Sequence, residues 1–164
     1  MIDLSLTNIN SFSPYQVTRA EEGSYVFQTS KGIHYTISFE EDVEIGGCPT
    51  YQLILKKVEQ VKSGYDPKVE PSILAIIDEF FHSYLNVLLY ICDTSDGREE
   101  KRNRLFLKWF EKHADPNRFT IRTGKTTIGE HLLYITLIFE NRNPLQSEIL
   151  AQIEKDSYLL SDKP

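Results

Sequence analysis

The spacing of hydrophobic positions changes several times along the chain, and each change marks an element. From Ile33 to Phe39 apolar and polar residues alternate, with Ile33, Tyr35, Ile37 and Phe39 on one side. A period of two predicts a half-buried strand. Residues 25–29 form a shorter run of the same kind, and Ser30-Lys31-Gly32 between the two predicts a hairpin turn with Gly32 at positive φ. Residues 40–44 are mostly acidic and read as a loop leading into Gly46-Gly47-Cys48-Pro49. Residues 51–58 predict a third strand, antiparallel to the second.

After a break at 63–67 the spacing becomes helical. Ile73, Leu74, Ile76, Ile77, Phe80, Phe81, Tyr84 and Leu85 form a wide apolar stripe, and Pro71 suits a first helical turn. Val87-Leu88-Leu89-Tyr90-Ile91-Cys92 carries no charged or amide side chain, which predicts a strand covered on both faces and central to the fold. Asp96 and Glu99 have capping-box spacing at the start of the next helix, where Leu105, Phe106, Trp109, Phe110 and His113 share a face. Strands follow at 119–123 and 132–139, with Gly124 and Gly129 in the loop between them. Asn143-Pro144 opens a last helix that turns Leu145, Ile149, Leu150 and Ile153 inward. Residues 1–14 read as an arm or short leading strand, 15–160 as one domain, and 161–164 as a frayed tail. The order βββ-α-β-α-ββ-α predicts a single α+β domain, a mixed or mostly antiparallel sheet with about three helices.

Composition narrows this picture. A chain of 164 residues is long enough to bury about two-thirds of its unfolded surface, so its core needs no disulfide or metal. Aromatic residues make up 12% of it, which argues against disorder. The first residues show no basic start followed by an apolar run, and no apolar stretch has the length of a membrane span. Cys48 and Cys92 fit no metal-ligand spacing and are expected as reduced thiols, Cys92 buried and Cys48 more exposed. The expected address is the cytoplasm, with no cofactor. The net charge is −6, but nine basic and four acidic residues fall within 98–125, leaving the remainder at −11. Such asymmetry marks either a face that meets an anion or the solvated side of a helix, and the second is the commoner case.

The stretch Leu89-Tyr90-Ile91-Cys92-Asp93-Thr94-Ser95-Asp96-Gly97-Arg98, continued by Leu105-Phe106-Leu107-Lys108-Trp109-Phe110, resembles a family of small Bacteroidetes proteins of unknown function. The 25–35 hairpin belongs to the same resemblance, which covers most of the chain. It implies a bacterial cytoplasmic setting and no particular chemistry.

Candidate chemistry is sparse. Asp93 and Asp96 follow the apolar strand, where open sheets place ligands. They could hold a hard cation, with Arg98, Arg102 or Arg104 clamping a phosphate. The plainer reading is that Asp96 caps a helix and Asp93 pairs with an arginine. Gly124-Lys125-Thr126 lacks the first glycine of a phosphate-binding loop, since Phe119 stands there. His34, His82, His113 and His131 never share a helical face at ligand spacing, so no metal is expected. Trp109, Phe106 and Phe110 read as core rather than as a stacking platform, and a pI near 5.2 weighs against nucleic acid. Two functions remain. The first is a non-enzymatic binding or regulatory module, with a protein partner or a second copy meeting the open edge of the N-terminal hairpin. The second is a metal-dependent phosphoryl-transfer or nuclease-like enzyme using Asp93, Asp96 and Arg98.

Overall fold

The computed structural model describes residues 2–62, 64–92, 108, 110, 112, 115 and 117–155; for residues 92, 126–128, 131 and 132 it describes the backbone alone. The elements are α1 (Leu6–Phe12), β1 (Thr18–Arg19), β2 (Tyr25–Gln28), β3 (His34–Ile45), β4 (Cys48–Lys57), α2 (Val69–Ser83), β5 (Val87–Cys92), β6 (Phe119–Ile128), β7 (His131–Glu140) and α3 (Gln146–Lys155). The strands follow the order β1-β2-β3-β4-β5-β7-β6 in a mixed, mostly antiparallel sheet, so the fold is α+β as its pattern predicts. The helix expected after Asp96 falls mostly outside the described residues, though Lys108, Phe110 and Lys112 are helical. Two compact units divide the chain: residues 1–40 with 53–84, and residues 41–52 with 85–164.

In the first unit, β2 and β3 pair antiparallel from Tyr25↔Ile37 to Gln28↔His34. Gly32 closes their turn at φ +80, donating its N–H to the Thr29 carbonyl at 3.0 Å. A side chain at that position would resist the left-handed backbone, which is why glycine stands there. Phe39 stacks on Phe80 of α2 at 4.8 Å with the rings almost parallel, and Ile37, Ile73, Ile76, Ile77 and Phe81 are buried. This helical stripe is the one the spacing predicts.

Within residues 1–14, expected as an arm or short strand, Leu6–Phe12 is instead a helix. Seven residues are too few to display a helical period. The segment is held by contacts: Ser5 Oγ accepts the Asn8 N–H at 3.2 Å, Ile9 is fully buried, and Asn8 Nδ2 donates to Glu79 Oε1 on α2 at 3.3 Å. The hairpin edge expected to be open carries β1, paired at Thr18↔Val26 and Arg19↔Tyr25.

The second unit begins at a turn. The acidic residues 40–44, expected as a loop, lie in β3, and β4 starts three residues earlier than the pattern suggests. Gly46 and Gly47, at φ +61 and +77, form a two-residue turn with both residues left-handed, the geometry that matches strand twist and lets pairing run up to the turn. Charged residues are tolerated there because Glu40, Glu41 and Glu44 face solvent. Gly46 also meets α3: its N–H donates to Gln152 Oε1 at 2.5 Å, and a Cβ built on it would lie 2.5 Å from the Glu148 carbonyl carbon and Ile149 nitrogen.

Cys48, expected to be more exposed, is only 1% exposed. It packs with Val87, Leu137, Phe139, Ile149 and Ile153 because the tight turn carries the start of β4 under α3. Asn143 organises the same region. Its Oδ1 accepts the Leu145 N–H at 2.8 Å ahead of α3, and its Nδ2 donates to the Leu85 carbonyl at 3.0 Å. Ile149 and Ile153 are buried with Leu145 and Leu150 against the cluster, as expected.

Strand β5 pairs antiparallel with β7 from Leu88↔Ile138 to Cys92↔Tyr134. Val87 and Leu88, which face opposite sides, are both fully buried, so the apolar run is an interior strand as predicted. β6 and β7 are longer than expected, pairing from Phe119↔Glu140 to Ile128↔His131, so Gly124-Lys125-Thr126 lies in a strand. The β-branched Thr126 and Thr127 favour extension, and the turn shrinks to Gly129-Glu130. Glu140 ends β7 with its side chain 1% exposed. Arg118 Nε donates to Oε2 at 3.2 Å and Arg142 Nε to the same oxygen at 2.8 Å. Burial alone would raise this carboxyl, but the hydrogen bonds and charges of Arg142 and Arg118 outweigh it and hold the group below its ordinary value.

Two outcomes follow from these contacts. Gly46→Ala must adopt a left-handed backbone and also push back α3, so it loses roughly 2–5 kcal/mol in urea unfolding. Gly47→Ala, whose Cβ would meet nothing within 4 Å, carries the backbone cost alone and loses about 1–2 kcal/mol. Equal losses would show that the close approach to α3 contributes nothing.

Because Glu140 is lowered in the folded state, its contribution is complete above the unfolded carboxyl value of about 4.3 and fades as pH falls through the folded value. Glu140→Gln therefore destabilises by about 1–3 kcal/mol at pH 7. The gap to the parent protein narrows as urea titrations move from pH 5 to lower pH. A gap independent of pH would refute this.

Candidate functional site

One face of the first unit's hairpin is polar. Ile37 and Phe39 turn toward α2, so the strand period places Thr36, Ser38 and Glu40 on the opposite face. The Val58 N–H donates to the His34 carbonyl at 2.8 Å, and continuing that antiparallel register sets Lys56 of β4 opposite Thr36. From the other side, the chain reverses at residues 20–24: the Ala20 N–H donates to the Ser24 carbonyl at 2.8 Å and the Gly23 N–H to the Ala20 carbonyl at 2.9 Å. This turn brings Glu22 and Ser24 to the same face.

Together these residues, with Ile2, Gly23, Tyr25 and Phe39, line an open cleft of about 320 Å³. Ser24 Oγ donates to Glu22 Oε1 at 2.5 Å, and this bond holds the Glu22 carboxyl below its ordinary value. The side chains of Thr36, Ser38, Glu40 and Lys56 make no hydrogen bond or ion pair among the described residues. A small molecule therefore finds two hydroxyls, the Glu40 carboxylate and the Lys56 ammonium not engaged by any described residue.

The cleft wall is anchored from behind. Arg19 Nη1 pairs with Asp3 Oδ1 at 2.5 Å, Nη2 donates to the Ile2 carbonyl at 2.9 Å, and the guanidinium lies 5.4 Å above the Tyr25 ring. Tyr25 Oη accepts the Leu4 N–H at 2.7 Å, and burial raises this phenol. Residues 2–4 are thus strapped against β1 and β2, which fixes Ile2 at the rim.

The residues singled out by sequence do not assemble here. Asp93, Asp96, Arg98, Arg102 and Arg104 lie outside the described residues, as do Phe106, Trp109 and His113. Phe110 is buried beside Phe119, 5.0 Å between rings, in keeping with a core role. His34 Nδ1 meets Glu59 Oε2 at 2.6 Å, while the His34 N–H bonds Glu59 Oε1, and these contacts lower Glu59. His82 is exposed on α2, and for His131 and Cys92 only the backbone is described. Among the described residues no three His, Cys, Asp or Glu side chains form a metal-binding group, and no helix is long and apolar enough to cross a membrane.

Sequence reasoning missed Glu22, Ser38, Glu40 and Lys56. Alternation does signal the polar face of β3, but only the tertiary turn at 20–24 makes a cleft of it.

No curated protein matches the chain. Among solved structures it is similar to the crystal structure of a "putative phosphinothricin N-acetyltransferase", at 19% identity and a TM-score of 0.40, over 74% of this chain and 70% of that one. A likeness at that level transfers neither fold nor activity. Residues 65–155, more than half of the chain, match the model of a family of unknown function, DUF6169, and the protein belongs to that family.

Proposed function

We propose that the protein is a non-enzymatic binding module whose site is the cleft of the first unit, and that it takes a small polar solute. The observation that carries this is the opening of about 320 Å³ in which the Thr36 and Ser38 hydroxyls, the Glu40 carboxylate and the Lys56 ammonium meet no partner among the described residues. That volume falls in the range of small-ligand sites. Within the cleft the Ser24 hydroxyl donates to the Glu22 carboxylate, and because Ser24 is buried we read this contact as fixing the wall for binding rather than as activating a nucleophile. The bacterial cytoplasm is the proposed setting, in keeping with Cys48 as a free thiol.

The test is thermal unfolding of the full chain against a panel of amino acids, sugars, carboxylates, polyamines and nucleotides. A ligand at a hundred times its Kd should raise the melting temperature by about 5–10 °C. Ser38→Phe, which fills the cleft from a half-buried strand position, should abolish that shift while keeping the unliganded melting temperature within about 2 °C. A panel with no stabilising member, or a stabiliser indifferent to Ser38→Phe, would overturn the proposal.

A further inference from the structure

The charges of the cleft are not mixed at random. Glu40 lies on β3 four residues beyond Thr36, and Lys56 stands across from Thr36 in the register extended from the Val58–His34 bond. Four residues of extended strand separate the two rows by about 13 Å along the backbone. Beyond the β2–β3 pair Tyr25↔Ile37, Ser24 comes next to Ser38, and Glu22, in the turn at 20–24, lines the cleft on the Glu40 side of that pair. The cleft thus has an anionic end, formed by Glu22 and Glu40, and a cationic end, formed by Lys56. Thr36 and Ser38 lie between them on the same face of β3.

From this placement we infer that the ligand is a small zwitterion, a free amino acid or a short peptide. Its protonated amine faces Glu22 and Glu40, its acid group faces Lys56, and its central polar atoms meet the Ser38 and Thr36 hydroxyls. The inference rests on the cleft being a binding site, and adds the class of molecule it selects. Two features support it. Glu40 and Lys56 have no hydrogen-bond or ion-pair partner among the described residues, so nothing described there neutralises either of these two charges. The ends are also far enough apart that long side chains can reach inward toward a dipolar ligand without first pairing with each other, whereas a ligand of one sign would meet repulsion at one end.

The experiment is calorimetric titration of the full chain with the twenty free amino acids and diglycine, and with the N-acetyl and C-terminal amide forms of whichever binds. Removing either charge of the ligand should weaken binding about tenfold or more. In Lys56→Met the acid and amide forms should bind alike. In Glu22→Gln/Glu40→Gln the free-amine and N-acetyl forms should bind alike. These substitutions lie on an exposed polar face and should leave the fold intact, which circular dichroism checks. The zwitterion inference fails if no amino acid or diglycine binds, or if the blocked forms bind as well as the parent. In either case, a neutral solute whose binding is still lost in Ser38→Phe would leave the cleft standing as a site. Loss of that too would remove both.

Discussion

Strand β7 sets the terms for the second unit. From Tyr134 to Glu140 every residue is buried, and successive side chains face opposite sides. A strand covered on both faces must have neighbours on both edges and layers above and below. β5 and β6 supply the edges, and Phe139 and Leu137 lie in the cluster that receives Ile149 and Ile153 of α3. The same burial creates a problem at the strand's end, because Glu140 cannot reach water. Two arginines meet it, Arg142 in the turn between β7 and α3 and Arg118 just before β6. Without them, an ionised carboxylate at 1% exposure would cost far more than a single mutation usually does. The apolar run thus explains both the packing and the placement of these charges.

The approach of Gly46 to α3 follows from the same demand. A helix that lays Ile149 and Ile153 onto the cluster brings its backbone within van der Waals reach of whatever turn lies beside it. Only a residue without Cβ fits, and the left-handed φ of the two-residue turn asks for glycine independently. Two unrelated constraints fall on one position. Gly47 answers to only one of them. The difference separates a glycine kept for conformation from one kept for space.

Much of this was legible in the chain. The alternation at 33–39, the helical stripe of α2, the apolar Val87–Cys92 and the inward residues of α3 all appear where their periods put them. These elements bury a full face, and burial is what writes a period into a sequence. The departures share a physical cause. Helix α1 has a single buried anchor, Ile9, and so leaves no period to read. The acidic residues of β3 and residues 124–128 of β6 are strand by backbone pairing, which composition alone does not report. Cys48 is buried through its turn's approach to α3, a contact between residues a hundred positions apart in sequence.

The cleft shows the same divide from the side of function. Its floor could have been anticipated, since Thr36, Ser38 and Glu40 are the solvent half of a pattern whose other half is core. Its walls could not, because Glu22 reaches the floor only through a reversal at 20–24 that is held in turn by Arg19, Asp3 and the Ile2 carbonyl. An unpaired lysine or glutamate on a sheet is by itself unremarkable: water solvates both, and surface charges need no partner. What distinguishes Glu40 and Lys56 is that they share one concave face with a second carboxylate already set in place by Ser24. In a concavity, charges held apart by the strand spacing act on the same small volume, and a molecule entering it displaces water from both at once. Separation along β3, rather than the number of charges, is therefore what would make the face selective.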